Sequence, residues 1–476
     1  MNWALVSLSL PLVTGLALLL TRLRGSGFLA LATSLLSLAA ACGALHDVLT
    51  EGASFLNLGA WNSPMAIRFH LMPLSATLLL FTALIHLLVG LYALVRQKEP
   101  KQSFGDFWPL SCLLHASLAA VWLSHDLFNW YVTLELLGLV SVALICLAGP
   151  KAYGAALRYL LLSLMASLCY LLGVALLYGR YGVMDVGLLA TTAQADPSTQ
   201  MALWLMSAGL MLKAALWPLH LWLPAAHASA PTPVSALLSA LVVKAPIFIL
   251  WFIWTHVAPE PLARQVGPSM ALAGLAALLT GGWSAWRTPY LKTLVAYSTV
   301  AQLGYALVAL GLLLHWQLPE LHHALWLFVL AHGLAKTSMF LAAGELQTGL
   351  GRRLSAIRVS TQTLPLPMFG FAVAGGSLIG LPPSGGFLAK WVLLLPLLEN
   401  PARWPWVLGL LLGTLASAAY VFRVISLGFG QIHTRPTTPA DTNPHAQWLA
   451  LVPALLVWAM ALAGEPLQLW LGGPVE

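Results

Sequence analysis

Residues 212–244 read LKAALWPLHLWLPAAHASAPTPVSALLSALVVK. Lys213 and Lys244 lie near its ends, each inside a run otherwise apolar enough to cross a bilayer, and Pro218, Pro224, Pro231 and Pro233 interrupt the text between them. A charged side chain at the bilayer centre costs roughly 2.5–3.5 kcal/mol on the gentlest scales, and such residues persist where they face a watery path, pair, or carry protons. Proline removes helix hydrogen bonds, and the freed carbonyls are tolerated at membrane depth only where protein or water satisfies them.

The same combination recurs at residues 380–391, GLPPSGGFLAKW, where Pro382, Pro383 and Gly385 break a second span just before Lys390. The chain around these breaks has 476 residues, 59% hydrophobic and 8% charged. Soluble domains carry about 25% charged residues, so the composition excludes them and gives an all-α polytopic membrane protein. At about 20 apolar residues per crossing, fourteen transmembrane helices are expected: 2–21, 26–47, 73–95, 108–124, 127–148, 155–178, 201–222, 233–256, 266–286, 291–314, 321–343, 364–399, 404–427 and 446–464. Spans 4–8 and 9–13 make two five-helix sets. Because five is odd, the second set starts from the opposite side, so the two are inverted repeats with their broken helices at spans 7 and 12. The organisation is then an N-terminal part, 1–107, with an external hairpin near 48–72; a first repeat, 108–256; a second, 257–427; and a last span within 428–476.

Fourteen of the 22 Lys and Arg residues fall in or beside odd-numbered loops: Arg22, Arg24, Arg96, Lys98, Lys101, Lys151, Arg158, Arg287, Lys292, Arg352, Arg353, Arg358, Arg423 and Arg435. Even-numbered loops hold Arg68, Arg180, Arg264 and Arg403, and the remaining four are membrane lysines. Positive loops stay in the cytoplasm, which places both termini on the outer, periplasmic side of a bacterial-type inner membrane. The basic pI of about 9.3 therefore reflects topology and not nucleic-acid binding. The apolar N-terminus lacks an initial basic region and is read as the first span, not a removed signal. The four cysteines show no CxxC and no metal spacing, and no haem, iron–sulfur or dinucleotide fingerprint is present. No cofactor or metal is expected in this chain, and any redox chemistry belongs to partner subunits.

Glu135 is the one acid expected deep in a span, since Glu345 and Glu399 fall near span ends. It is either a carboxylate held neutral in the core or the partner of a buried lysine. A carboxylate and an ammonium favour their charged forms together and their neutral forms apart, so a pair that opens and closes is a proton switch. Continued as a helix, the text places Lys213, Trp217 and His220 on one face. With about ten residues of span on either side, Lys213 is too deep to snorkel easily. Lys244 is comparably central, with Ser235 and Ser239 placed to hydrate it. His332 and Lys336, four residues apart, share a face; histidine titrates nearest neutral pH and suits a relay. His322 and His323 read as surface residues. Lysine suits proton carriage because burial readily removes its proton, whereas arginine stays charged.

These motifs resemble the antiporter-like subunits shared by respiratory complex I, membrane-bound hydrogenases and Mrp-type Na+/H+ antiporters, over about residues 105–430. The resemblance rests on DLFNWYVTLE at 126–135, the 212–244 string, LKTLVAYSTVAQLGY at 291–305, HGLAKTSMFLAAGEL at 332–346 and GLPPSGGFLAKW at 380–391. It implies that Glu135 pairs with Lys213, that Lys244 leads to the centre, and that His332 with Lys336 leads toward Lys390. DLFNWYVTLE looks like the D-type member of the Mrp antiporters and the 220s–230s string like complex I or hydrogenase subunits. Lys390 resembles most branches but not the complex I branch with glutamate there. The chain departs from the family pattern at Leu134, Ala245-Pro246 and Met72-Pro73, and no long lateral helix is expected after span 14, unlike the largest distal complex I subunit.

The expected function is a proton-translocating subunit of a multisubunit ion pump or antiporter, among other hydrophobic membrane subunits. The resemblance leaves the coupled process open: Na+ efflux, a redox-driven complex I or hydrogenase-type complex, or a soluble partner that takes up inorganic carbon. A stand-alone small-solute carrier is the alternative of another class, and a scaffold with idle charges the third.

Overall fold

Several helix starts in this chain carry polar side chains that take up a free amide of the first turn. Asp126 accepts from the Asn129 amide at 2.8 Å, Asp185 from Leu188 at 2.9 Å, Asp196 from Thr199 at 2.8 Å and Ser384 from Phe387 at 3.2 Å. Such a cap stabilises a helix by about 1 kcal/mol. The computed structural model describes residues 2–21, 23, 25–58, 67–97, 105–358, 360–430 and 443–472. The first helices are α1 (Asn2–Thr21), α2 (Ser26–Glu51), α3 (Pro73–Gln97), α4 (Phe107–Leu123), α5 (Leu127–Cys146) and α6 (Pro150–Tyr181). Then come α7 (Val186–Thr192), α8 (Pro197–Lys213), α9 (Leu223–Ser229), α10 (Thr232–Ala240), α11 (Ala245–Phe252), α12 (Glu260–Arg287), α13 (Leu291–Trp316) and α14 (Pro319–Leu350). The last are α15 (Ser360–Thr363), α16 (Pro365–Ile379), α17 (Gly385–Leu398), α18 (Trp404–Gly428), α19 (Pro444–Ala459) and α20 (Gly464–Leu471).

Among the described residues, eleven helices are long and apolar enough to cross a membrane, with Thr232–Val257 counted as one. The protein is thus an all-α, multi-pass membrane protein. Expected spans 4, 7 and 12 are not among the eleven. Span 4 is α4, with 17 residues; the other two are the broken ones. Span 7, expected over 201–222, is not continuous: α8 stops at Lys213 and the chain resumes helix at Leu223. Span 12 divides into α16 and α17, and Gly380 closes α16 at φ 94°, a left-handed conformation that glycine adopts without strain. The Trp217–Pro218 and Pro382–Pro383 bonds in the two breaks are both cis.

The expected hairpin is present as β1 (Ser54–Leu58) antiparallel to β2 (Ile67–Leu71), in register from Ser54↔Leu71 to Leu58↔Ile67. Its tip, 59–66, lies outside the described residues, as do Arg22, Arg24, Lys98, Lys101 and Arg435 of the charge tally. Helices α13 and α14 and the 232–257 stretch form the interior, buried along nearly their whole length. Helices α1, α6 and α18 present Leu20, Leu168 and Leu415 outward, as a lipid-facing surface requires. Helices α12 and α13 approach through glycine: a Cβ on Gly274 would lie 2.6 Å from the Gly304 carbonyl oxygen, so only a missing side chain permits the contact.

Candidate functional site

Lys213 ends α8, where the unpaired carbonyls of a last turn favour a cation. Its ammonium donates to Glu135 Oε1 on α5 at 3.0 Å and to Ser163 Oγ on α6 at 3.1 Å. The Ser167 hydroxyl donates to the same Glu135 oxygen. The lysine is the more enclosed partner, 7% exposed against 21% for the carboxylate. A cavity of about 10 Å³, the room of a single water, borders Lys213 and Ser163 on one side and Val242 and Pro246, which flank Lys244, on the other. Since helix ends at Lys213, Trp217 and His220 stand in the break and do not continue its face, correcting the sequence expectation.

The centre is built around α13. Lys336 of α14 donates to the Val295 carbonyl at 3.1 Å and to the Ser298 hydroxyl. Lys244, in the single 3-10 turn Val242–Lys244, donates to the Ser239 carbonyl, and Ser239 Oγ meets Thr299 Oγ1 at 3.0 Å. Ser235 instead donates to the His227 carbonyl, so of the two serines only Ser239 serves Lys244. His332 stacks on Phe328, and neither ring nitrogen has a hydrogen-bond partner among the described residues. Lys336 and, through Ser239, Lys244 thus converge on the neighbouring residues Ser298 and Thr299 of α13, with His332 one turn before Lys336 on α14. Two ammoniums sharing an apolar core repel, and no ion pair joins either to a carboxylate among the described residues.

Lys390 spans the second break. Its ammonium donates to the Leu378 and Ile379 carbonyls at 2.7 and 3.0 Å, the orphan acceptors at the end of α16, and sits 4.2 Å from the centroid of the Tyr305 ring. The Tyr305 hydroxyl is held by Thr414 at 2.8 Å and the Leu410 carbonyl at 3.1 Å. Of the expected residues, Glu135 and Lys213 are directly bonded; Lys244 and Lys336, with His332 one turn from Lys336, gather beside Ser298 and Thr299 of α13; and Lys390 stands apart, facing Tyr305 of the same helix.

Several residues differ from the sequence reading. Glu345, near the end of α14 as expected, is nevertheless buried: Arg96 grips it through Nε at 2.9 Å and Nη2 at 2.5 Å, and the Tyr92 hydroxyl donates at 2.6 Å. Glu135 itself is half-buried, and Glu345 is the more deeply buried acid, because α3 supplies a cation at a span end. His322 is buried, against Trp251 and with Nε2 3.3 Å from the Leu471 carbonyl, because the segment carrying α20 folds back over it. Lys292, counted as a loop residue, is buried and donates to the Ala230 carbonyl at 2.7 Å. Sequence reasoning misses His227, which is fully buried with both ring nitrogens unpartnered among the described residues. It also misses the polar line of α13, in which Gln302 donates to Ser417 at 2.8 Å and Tyr420 at 3.1 Å. The signal of that line is legible: Lys292, Ser298, Thr299, Gln302 and Tyr305 recur at helical spacing in a helix otherwise nearly all apolar. Among the described residues no His, Cys, Asp and Glu group is arranged to hold a metal ion.

Proteins similar to this chain are numerous. The family model described as NADH:quinone oxidoreductase/Mrp antiporter, TM, matches residues 124–417. The N subunit of NADH-quinone oxidoreductase of Desulforudis audaxviator is 35% identical over 474 residues, covering 96% of this chain and 90% of that one. The D-type subunit of the Na(+)/H(+) antiporter of Alkalihalophilus pseudofirmus is 28% identical over 360 residues, covering 74% and 72%. A chain of the Mrp complex from Dietzia sp. superposes with a TM-score of 0.88 at 24% identity, covering 99% of this chain and 96% of that one. A chain of respiratory complex I from Thermus thermophilus gives 0.77 at 27% identity, covering 98% and 100%. Both structures are multisubunit assemblies. The chain therefore belongs to the NADH:quinone oxidoreductase/Mrp antiporter transmembrane family.

Proposed function

We propose that this chain is a proton-translocating subunit of a multisubunit membrane complex, carrying protons along a midplane line of Glu135, Lys213, Lys244, His332, Lys336 and Lys390. The observation that carries the reading is the central cluster, Lys244 and Lys336 with His332, in which no lysine has a carboxylate partner among the described residues. Such an arrangement is costly as a scaffold and useful as a set of mutually repelling proton sites. Glu135 and Lys213 act as the switch at one end: while the pair is closed the carboxylate retains the lysine's proton, and when it opens the lysine can pass that proton on. Lys390, satisfied by the carbonyls of the second break, is the terminal site. The two breaks, at Pro218, Pro224 and Pro231 and at Pro382, Pro383 and Gly385, lie in the two inverted repeats, 108–256 and 257–427, flanked by the N-terminal part, 1–107, and the last span within 428–476.

We place the chain in a bacterial inner membrane with both termini outside, without a cofactor of its own. Likeness to an oxidoreductase N subunit and to a D-type antiporter subunit supports two couplings, to a redox reaction in partner subunits or to exchange for a cation such as Na+. Extraction of the native complex, identification of its chains by mass and a visible spectrum separate these. Flavin or iron–sulfur absorbance means redox coupling, and a colourless set of small hydrophobic subunits means cation exchange. Reconstitution of the isolated chain tests the reading itself: solute uptake by the chain alone would make it a carrier and end the proposal.

A further inference from the structure

Lys292 is the buried lysine for which the proton line has no use. It lines a cavity of about 460 Å³ between α3, α10, α13 and α14, together with Arg96, Thr232, Gln347 and Arg352. Pockets of this size hold small ligands. Arg96 is matched by Glu345, whereas the one hydrogen bond of the Lys292 ammonium among the described residues is to the Ala230 carbonyl, and Arg352 lines the same cavity. Among the described residues no ion pair with a carboxylate is made by Lys292 or by Arg352. Two like charges on one cavity wall, one of them buried, leave an excess of positive charge that an anion would neutralise. Thr232 and Gln347 add neutral donors, and Phe107 and Leu147 give the wall an apolar edge. The cavity opens at the end of the bundle where Arg287, Arg353 and Arg358 are exposed.

We propose that this cavity is an oxyanion site for a phosphate group, seated between Lys292 and Arg352 over the Arg96–Glu345 pair. The site is separate from the residues assigned to proton transfer and its test is independent of that assignment. The phosphate is either the headgroup of an acidic phospholipid or free phosphate. Arginine meets phosphate by two parallel hydrogen bonds and lysine by point charge, so both contacts suit the chemistry.

The test is native mass spectrometry of the intact full chain, titrated separately with phosphatidylglycerol and with inorganic phosphate. Arg352→Gln should weaken retention about tenfold, the effect of one charge-assisted contact. Arg352 is exposed, so the variant folds, while Lys292→Gln, expected to weaken binding further, also removes the anchor on Ala230. Arg287→Gln, an exposed arginine outside the cavity, should leave retention unchanged. Retention of phosphatidylglycerol alone identifies a lipid site, and retention of inorganic phosphate identifies a free-anion site; both support the proposal. Equal retention by wild type and Arg352→Gln, equal loss in Arg287→Gln, or no binding of either probe overturns it.

Discussion

Replacing Glu135 by glutamine removes the negative charge 3.0 Å from the Lys213 ammonium and leaves it neutral acceptors alone, the amide oxygen and the Ser163 hydroxyl. At an effective dielectric of 20, two unit charges at that distance attract by about 5 kcal/mol. Removing one partner of a buried pair costs roughly 3–5 kcal/mol, and the partial exposure of Glu135 argues for the lower end. A cost of about 3 kcal/mol is on the order of a hundredfold in the equilibrium between the closed and open pair. Coupled proton movement should therefore fall to a small residue in Glu135→Gln and in Lys213→Met, with both variants still assembled. The variants share one interaction, so the double variant should be no worse than the poorer single one. The assay is dye-reported acidification of inverted vesicles containing the complex, driven by its own partner reaction. Full coupling in either single variant, or losses that multiply in the double variant, would refute the switch.

Three further outcomes are expected. Lys390→Met should abolish coupling; Tyr305→Phe keeps the ring under the ammonium and should retain most of it, whereas Tyr305→Leu removes a contact worth roughly 0.5–2 kcal/mol and should lower the rate in the same vesicle assay. Arg96→Met should destabilise the fold by roughly 3–5 kcal/mol by stranding Glu345, and Arg96→Met with Glu345→Leu should recover part of that loss, read as thermal unfolding in detergent. The hairpin should loosen in acid. Burial, with His125, His256 and Arg68 nearby, holds His70 down at about 3, and burial with Arg68 and His256 holds His125 at about 3, against the ordinary 6.5. The unfolded histidines then bind protons that the folded ones refuse, so stability is full above 6.5 and declines as pH falls toward 3, by at most about 2 kcal/mol per histidine near pH 5. Hydrogen exchange of the β1 and β2 amides at pH 5 against pH 7 checks this; Asp185, paired with Arg68 at 3.4 Å, supplies opposing charge there.

Much of this architecture is legible in the sequence because the bilayer imposes a length and a polarity on each segment. The two breaks are legible because proline and glycine act locally. What escapes is settled by packing between distant segments. Glu345 reads as terminal because only the fold brings Arg96, 249 positions away, against it. Lys292 reads as a loop cation because its enclosure comes from Ala230 and the α9–α10 joint. Helical periodicity puts Trp217 and His220 on the Lys213 face, and it fails once α8 ends at Lys213. The polar line of α13 is visible in the text, but periodicity alone does not say whether a buried glutamine meets Ser417 and Tyr420 or solvent.

The most direct test of proton passage through this chain is Lys336→Met in the native complex, reconstituted in proteoliposomes. Lys336 is fully buried in the central cluster, bonded to α13 and away from both breaks. Proton movement per turnover of the partner reaction should collapse while the subunits still co-purify. An unchanged ratio of protons moved to turnover would contradict the account.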